Sequence, residues 1–386
     1  MKLVVFGLSI SSSWGNGHAT LWRALCRALA RRGHRTVFFE RDVPYYAAHR
    51  DLLALDGVEL VLYDDLSRIR ARAEHELADA DVGMVTSYCP DAVTASTLVA
   101  EHARMSVFYD LDTPVTLDGL RRGTVSYIGP RGLRDFDLVL SFTGGGALTA
   151  LRDTLGAKLV APLYGSVDPS VHHPMAPVER YRGALSYLGT YAEDRQLMLE
   201  QLLLEPARAR PDLRFVIGGA AYPHDFPWLP NVFFVRHLPP SEHPEFFCSS
   251  PLTLNVTRRA MAEMGYCPSG RLFEAAACGV AIVSDPWEGI DQFFTPGSEL
   301  IVARDSADVR AALGSSDAEL ARLGRAARER ALAEHTADHR ALDFERALEL
   351  VRGGRDAMER ASIGIHEQLH DSSARAEWST DVLEQR

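Results

Sequence analysis

The sequence predicts an α/β fold of two similar, doubly wound halves, each a parallel sheet with helices on both faces. Three observations carry this prediction: apolar runs of strand length alternate with helical patterns, glycine-rich loops follow several of these runs, and the arrangement occurs twice. The length of 386 residues suits two to three domains at roughly 150 residues per domain. Hydrophobic residues make up 46% and charged residues 24%, which is typical of a globular protein with a large core.

The first half begins like a Rossmann-like sheet. An apolar run at residues 3–6 is followed by a glycine- and serine-rich loop, a helical pattern that ends at Gly33, and a second strand at 36–40. Helical patterns lie between several of the later runs, so we expect parallel strands. Those later strands are predicted at 58–63, 82–86, 106–109, 138–141 and 158–161.

The second half repeats this order, with helices predicted at about 194–204 and at 269–278. Its strands are predicted at 185–188, 214–217, 232–235, 252–256 and 280–284. The segment 165–174 is rich in turn-forming residues and suits a crossing between domains. We therefore expect an N-terminal domain over residues 1–170, a C-terminal domain over 171–350, and a polar tail over 351–386.

Charge and cysteine content exclude several classes of protein. A net charge of −11 argues against a nucleic-acid binder and against docking on an anionic membrane. Five cysteines without a CxxC pair fit a reduced cytoplasmic protein better than a disulfide scaffold or a zinc site. No signal peptide is recognised, and no stretch approaches the ~18 apolar residues of a membrane span. We expect a cytoplasmic protein that is not integral to a membrane.

The loop at residues 7–18 is the first candidate site. Its length exceeds what a tight turn needs, and the helix start behind it favours anions or sugar oxygens. Asn16 and Gly17 are therefore expected to contact an acceptor. His18 is a candidate general base for an acceptor hydroxyl, and the alternative is a histidine that caps the helix. The loop lacks the GxGxxG pattern, so a dinucleotide site is poorly supported.

Asp110 and Asp112 follow an apolar strand, where side chains of a parallel sheet face the ligand crevice. We expect Asp110 to act in acid–base catalysis and Asp112 to bind the acceptor. The alternatives are a metal held by the Asp-x-Asp pair and a structural turn before Pro114. A second glycine loop, at 143–146, is equally compatible with ligand contact and with tight packing.

Positions for an anionic ligand are found in the second half. Glycines after predicted strands allow the backbone to approach a ligand, and arginines or the backbone N–H groups of a helix start can bind phosphates. The alternative for the arginines is a solvated helix face. The candidates are Gly189, Arg195, Gly218, Arg258, Ser269 and Arg271.

Two glutamates complete the candidates. Glu274 lies between Phe273 and Ala275 in a nearly apolar helix, and a carboxylate there can accept hydrogen bonds from both hydroxyls of a ribose. Glu288 follows the next strand and is a candidate for holding sugar hydroxyls. The alternatives are a solvated Glu274 and a Glu288 loop that only caps a short helix.

With these residues in place, the chain resembles the group 1 glycosyltransferases of the GT-B fold over about residues 1–350, and most of all their CgeB-like branch, named for a spore-maturation protein. The most specific parts are CPSGRLFEAAACGVAIVSDPWEGIDQFF at 267–294 and VDPSVHHP at 167–174. The resemblance implies two facing Rossmann-like domains with the site between them. It also implies a nucleotide-diphosphate sugar in the C-terminal domain, an acceptor in the N-terminal domain, and catalysis without a metal or another cofactor.

The resemblance extends to single residues. Glu274 matches the family glutamate that contacts ribose, and Glu288 lies in the loop that meets the donor sugar. Tyr266 stands where many group 1 enzymes carry a second glutamate, and Thr190 with Arg195 replaces an arginine and lysine pair. His18 would suit inversion of configuration, whereas relatives with paired glutamates typically retain it, so both outcomes stay open.

We therefore expect a bacterial, cytoplasmic glycosyltransferase that moves a sugar from a nucleotide-diphosphate sugar to a hydroxyl or other nucleophile of an acceptor. The acceptor is a small molecule, a glycan or a protein. Three alternatives remain. One is a GT-B nucleotide-sugar epimerase, which needs no acceptor. The second is a non-catalytic sugar- or nucleotide-binding module of envelope or spore-coat assembly, and the third, a nicotinamide oxidoreductase, lacks its fingerprint here.

Overall fold

The computed structural model describes residues 1–353, and within them two parallel sheets follow one another along the chain. Met1–Ala341 forms one compact unit that contains both sheets. A second unit begins at Leu342, and its described part continues the last helix to Arg352. The predicted tail over 351–386 lies almost entirely outside the described residues.

The first sheet has seven parallel strands. They are β1 (Lys2–Gly7), β2 (Arg35–Arg41), β3 (Val58–Tyr63), β4 (Val82–Thr86), β5 (Ser106–Asp110), β6 (Leu138–Ser141) and β7 (Val160–Pro162). The α-helices between them are α1 (Gly17–Arg31), α2 (Pro44–Ala47), α3 (Arg70–Ala78), α4 (Ala92–His102), α5 (Thr113–Arg121) and α6 (Gly146–Leu155). The strand order is β3-β2-β1-β4-β5-β6-β7, so the chain reverses its direction of winding between β1 and β4.

The second sheet repeats this order with six parallel strands. They are β8 (Leu185–Leu188), β9 (Phe215–Gly219), β10 (Val232–Arg236), β11 (Leu252–Asn255), β12 (Ala281–Ser284) and β13 (Ile301–Val302). Its helices are α7 (Gln196–Leu199), α8 (Glu205–Ala209), α9 (His243–Cys248), α10 (Arg259–Met264), α11 (Gly270–Ala277), α12 (Ser306–Leu313), α13 (Asp317–Glu334) and α14 (Ala337–Arg352). The order β10-β9-β8-β11-β12-β13 places the reversal between β8 and β11.

Burial explains why the strands could be recognised in the sequence as apolar runs. Every residue of β4 and of β9 is buried, because helices cover both faces of each sheet. Such strands contain continuous apolar runs instead of an alternation of apolar and polar residues. The predicted α/β class with two Rossmann-like halves is therefore confirmed.

The largest difference from the predicted elements is in the helix expected at 194–204. The structure has α7, then a turn of π-helix at Glu200–Leu204, then α8. Pro206 in the first turn of α8 has no N–H to donate, and its ring crowds the carbonyl four residues earlier, so the regular α-helical ladder is interrupted there. The two-residue strand β13 is too short to leave a recognisable pattern in the sequence.

The segment that joins the two sheets, between β7 and β8, contains the predicted change of domain near residue 170. The domain bounds themselves remain a prediction. All five cysteines are free thiols. None of the described helices combines the length and the apolar character needed to cross a bilayer.

A buried histidine connects the core of the second sheet to the chain after α13. His335 is 5% exposed, and its ring packs on Phe273. Its Nε2 lies 3.1 Å from the carbonyl oxygen of Phe293, and Arg340 donates to its Nδ1 over 2.9 Å. Burial, helped by the charge of Arg340, lowers the pKa of His335 to about 3. The folded protein therefore holds this imidazole neutral.

We expect His335 to make the protein less stable as the pH falls. Its folded pKa lies below the unfolded value, so only the unfolded chain takes up a proton between about pH 6.5 and pH 3. From pH 7 to pH 5 this costs about 2 kcal/mol of unfolding free energy. Denaturant unfolding of wild type and His335→Gln at both pH values measures it. Equal losses in the two proteins would contradict the assignment.

Candidate active site

A cavity of about 460 Å³ lies where the carboxyl edges of the two sheets meet. Its first wall comes from the loops after β1 and β5, and its second wall comes from the loops after β8 and β11 and from the start of α11. This is the expected place for a cavity, where parallel sheets reverse their winding. Most positions singled out from the sequence lie on these walls: Asn16, Gly17, His18, Asp112, Gly189, Arg195, Arg258, Ser269, Arg271 and Glu274. Three others, Asp110, Gly218 and Glu288, do not.

The start of α1 is capped by Asn16. Its side-chain oxygen accepts a hydrogen bond from the backbone N–H of His18 over 3.2 Å, and its amide nitrogen donates to the carbonyl oxygens of Ser9 and Ser12. Because Asn16 supplies the cap, His18 is not the capping residue. The His18 side chain is therefore available to the cavity.

The loop before Asn16 is shaped by Glu40, which the sequence does not point to. Glu40 is fully buried at the end of β2. Its carboxylate accepts hydrogen bonds from the hydroxyls of Ser9 and Ser11 and from the backbone N–H groups of Ile10 and Ser11, at 2.5–3.0 Å. Buried charge-assisted bonds of this kind fix a loop in one conformation. Glu40 therefore holds this part of the first wall in one conformation before any ligand binds.

His18 pairs with Asp112, with Nε2 and Oδ2 3.4 Å apart. Tyr88 donates its hydroxyl to the same oxygen over 3.0 Å. Burial would raise the pKa of Asp112, but the hydrogen bond and charge of His18, with the charge of Arg258, lower it. An ionised carboxylate beside an imidazole orients the ring and stabilises its protonated form. Because Nε2 is paired with Asp112, a proton from a bound hydroxyl would go to Nδ1 of His18, which is buried and has no hydrogen-bond partner among residues 1–353.

Asp110, the other catalytic candidate, lies behind this wall. Its side chain is fully buried, and its Oδ1 accepts hydrogen bonds from the Thr116 hydroxyl over 2.8 Å and from the backbone N–H of Asp112. Burial raises the pKa of Asp110 to about 6. The geometry favours Asp112, not Asp110, as the carboxylate that acts with His18, because only Asp112 reaches the cavity.

Two arginines on the second wall have no anionic partner. Among residues 1–353, neither Arg195 nor Arg271 has a carboxylate within 4.0 Å, and the buried Nε atom of each has no hydrogen-bond partner. Arg195 donates only to the carbonyl oxygen of Thr190. Burial and the neighbouring charge of Arg195 lower the pKa of Arg271. Two arginines on one wall without a carboxylate in contact are suited to an anionic ligand.

Arg258 differs from these two because it already has a partner. Its Nε donates to Asp194 over 3.1 Å at the start of α10. Burial alone would lower the pKa of Arg258, and the charges of Asp194 and Asp112 raise it instead. Arg258 therefore connects the two walls electrostatically.

Helix α11 directs its first turn at the cavity. Ser269 occupies the cap position without a side-chain hydrogen bond to the helix, so no cap satisfies the first N–H groups. Glu274 lies one turn further on and is only 6% exposed, so the solvated alternative does not apply. Burial would raise the pKa of Glu274, but interactions with His172, His243 and Arg271 outweigh it and lower the pKa to about 2. Glu274 is therefore a buried, ionised carboxylate.

The glycines after β8 and β9 bring two backbones together. A Cβ atom at Gly219, whose φ is +154°, would lie 2.0 Å from the carbonyl oxygen of Gly189, so only glycine fits. Gly218 itself faces Leu188 and Phe246, and its neighbour Gly219 reaches the cavity in its place. Glu288 is exposed and lies away from the cavity wall.

The loop at 143–146 is filled by Tyr266. Gly144 donates its backbone N–H to the carbonyl oxygen of Tyr266 over 2.9 Å, and a Cβ atom at Gly145 would lie 2.4 Å from the Tyr266 ring. The backbone N–H of Tyr266 donates in turn to the carbonyl oxygen of Glu288. The glycines at 143–146 therefore allow tight packing against Tyr266, which is the second of the two alternatives considered for this loop.

Sequence reasoning missed several residues of the wall. Tyr88 and His237 both have positive φ angles, of 65° and 46°, which are uncommon outside glycine and concentrate at functional sites. His243 contacts Glu274, and His172 lies behind both. The motif VDPSVHHP contains His172 but on its own indicates only a connection between domains. Nothing in the sequence around Tyr88, His237 or His243 marks them.

One group of side chains in the described range 1–353 is arranged so that it could hold a metal ion. The ligand atoms of His172, His243 and Glu274 lie within 4.8 Å of one another. The Asp-x-Asp pair is not such a group, because Asp110 turns into the core.

Comparison with known proteins gives one sequence match and many structural ones. Residues 195–346 match the model of a family described as glycosyl transferase-like. No curated protein sequence matches the chain. A sucrose-phosphate synthase from Thermosynechococcus elongatus is structurally similar, with a TM-score of 0.67 and 12% identity over 92% of this chain and 100% of that chain.

Two further structures contain nucleotide ligands. HepE of Anabaena, in complex with UDP-glucose, has a TM-score of 0.64 and 14% identity over 90% of this chain and 99% of that chain. An alpha-glucosyltransferase in complex with UDP and a 13-mer DNA has a TM-score of 0.63 and 12% identity over 91% of this chain and 99% of that chain. The chain therefore has the GT-B fold of two Rossmann-like domains, and its residues 195–346 are similar to the glycosyl transferase-like family.

Proposed function

We propose that this protein is a glycosyltransferase that uses a nucleotide-diphosphate sugar as its donor. The observation that carries the proposal is the pairing, on one cavity wall, of two arginines without an anionic partner with a buried, ionised Glu274. A nucleoside diphosphate has both complementary groups, since its phosphates are anionic and its ribose hydroxyls donate to a carboxylate. The glycosyl transferase-like domain contains all three residues.

In this proposal the diphosphate lies between Arg195, Arg271 and the first turn of α11. Negative charge grows on the leaving phosphate as the bond to the sugar breaks, and preorganised cations stabilise it there. Because arginines supply this charge, we propose that no metal ion is needed on the diphosphate. Ribose would be held by Glu274, and Gly189 with the adjoining loop would close over the donor.

The acceptor would enter along the first wall, beside Asn16, Gly17 and Asp112. Its hydroxyl oxygen attacks the anomeric carbon, the bond from that carbon to the phosphate oxygen breaks, and the nucleoside diphosphate leaves with the electron pair. If configuration is inverted, His18 takes the hydroxyl proton and Asp112 stabilises the resulting imidazolium. Retention would leave His18 and Asp112 as acceptor-binding groups, so product stereochemistry distinguishes the two cases.

UDP is the first nucleotide to test, because the structures of HepE and of the alpha-glucosyltransferase contain UDP or UDP-glucose. Membership of the CgeB-like branch and a cytoplasmic location belong to this proposal as well, on the strength of the motifs at 167–174 and 267–294 and of the free thiols. An acidic net charge of −11 favours an acceptor other than nucleic acid.

We expect UDP to raise the melting temperature and Arg271→Gln to remove most of this effect. A ligand at 100 times its dissociation constant stabilises the folded state by about 2.7 kcal/mol. Loss of a charge-assisted contact should weaken UDP binding about 10- to 100-fold. Isothermal titration calorimetry with and without EDTA measures the dissociation constants.

The matched control is Arg322→Gln, which removes an exposed arginine from α13 and should bind UDP like wild type. If UDP, GDP, ADP and CDP all fail to bind folded wild type, the donor site is wrong. Binding without turnover of any donor would favour a binding module. Conversion of the donor sugar without an acceptor would identify an epimerase.

We expect His18→Ala to slow turnover without weakening the binding of the donor nucleotide. Loss of a general base typically costs about 10²- to 10⁴-fold in kcat. His18 lies on the acceptor wall, so the dissociation constant of UDP should stay within about twofold of wild type. Release of UDP in the presence of an acceptor, or slow hydrolysis of UDP-glucose without one, gives the rate.

His75→Asn is the control for this experiment, because it changes an exposed histidine on α3. An unchanged kcat in His18→Ala would remove His18 from catalysis. A parallel loss of UDP binding would place His18 at the donor instead of the acceptor.

A further inference from the structure

Two histidines that have no role in the proposed reaction lie beside Glu274. His243 belongs to α9, and its Nδ1 lies 3.3 Å from Oε2 of Glu274. His172 belongs to the segment between the sheets, and its Nε2 lies 3.8 Å from the same oxygen. His172 is 1% exposed and neither of its ring nitrogens has a hydrogen-bond partner in the described part of the chain. One carboxylate oxygen thus faces two imidazoles.

The orientation of the His243 ring is fixed from both ends. Its Nε2 lies 3.3 Å from the carbonyl oxygen of Leu238, opposite the contact of Nδ1 with Glu274. An N–H of an imidazole can donate to a carbonyl or a carboxylate oxygen, and which ring nitrogen carries the hydrogen depends on the tautomer. Through these two contacts the His243 ring joins the loop after β10 to α11.

The partners of Glu274 leave one of its oxygens free. Oε2 faces the two histidines, whereas Oε1 has no hydrogen-bond partner within residues 1–353. Glu274 and His243 line the cavity, and His172 lies behind them, 5.8 Å from His243 between ring centroids. A carboxylate held through one oxygen can present the other to a ligand in a fixed direction.

We propose that His243 is a positioning residue that holds Glu274 for the ribose hydroxyls of the donor, with His172 as the buried wall that keeps the His243 ring in place. This inference rests on the proposed function. His243 does not touch the ribose itself, so its removal should affect recognition of the ribose and not the phosphates. Arg271 should still contribute to binding of the phosphates when His243 is changed.

The test compares UDP with 2′-deoxy-UDP, because their dissociation constants differ only through the ribose. We expect wild type to prefer UDP by about tenfold or more, as for one charge-assisted hydrogen bond. Glu274→Gln should bring the ratio close to one. Calorimetry on the full chain measures both constants, and a general loss of folding or phosphate binding would weaken both ligands equally.

Two conservative variants separate the contacts of His243. Asparagine places a donor near the position of Nδ1, so His243→Asn should keep most of the preference for UDP. Glutamine places its donor near Nε2, so His243→Gln keeps the Leu238 contact and should lose the preference. Glu245→Gln, on the same helix α9, controls for disturbance of that helix and should match wild type.

Several results would overturn the inference. An unchanged preference in His243→Gln, with loss in Glu274→Gln, would show that Glu274 needs no help from His243. An unchanged preference for UDP in Glu274→Gln would show that Glu274 does not contact the ribose. Loss of the preference on treating wild type with EDTA would show that His172, His243 and Glu274 hold a metal ion instead. Failure of wild type to bind either UDP or GDP is a separate result, which contradicts the proposed function.

Discussion

The reversal of strand order in the middle of each sheet is the constraint on which the site depends. Loops that follow neighbouring parallel strands diverge only where the winding changes direction, between β1 and β4 and between β8 and β11. The two crevices open onto one cavity, so the residues on these loops and on the start of α11 form both of its walls. Other features, such as the Glu40 hydrogen bonds and the contact between Gly189 and Gly219, hold these loops in shape.

Charge is distributed differently on the two walls. On the first, Asp112 is balanced by His18, Tyr88 and Arg258 within the protein. On the second, interactions with His172, His243 and Arg271 lower the pKa of Glu274, whereas Arg195 and Arg271 have no carboxylate within 4.0 Å among residues 1–353. Both arginines are half-buried and their buried Nε atoms have no hydrogen-bond partner in that range, so a bound anion would supply the missing acceptors. This distribution is what the proposed function requires, with an anionic donor on the second wall and, on the first, an acceptor that gives up a proton.

The fold could be predicted from the sequence because buried parallel strands require continuous apolar runs, and glycine loops mark their carboxyl ends. The same signal located most of the cavity wall, including His18, Arg271 and Glu274. It could not choose between Asp110 and Asp112, since the direction of a side chain after a strand depends on the following turn. His243 was invisible because only the packing of α9 against α11 brings it to Glu274, 31 residues away in sequence.

A crystal structure of the chain with UDP bound tests the central claim most directly. The account predicts that the diphosphate lies between Arg195 and Arg271 at the start of α11, with a ribose hydroxyl on Oε1 of Glu274. The β-phosphate, which carries the sugar in the intact donor, would then face His18 and Asp112 across the cavity. UDP bound elsewhere, or bound in the cavity with its ribose away from Glu274, would contradict it.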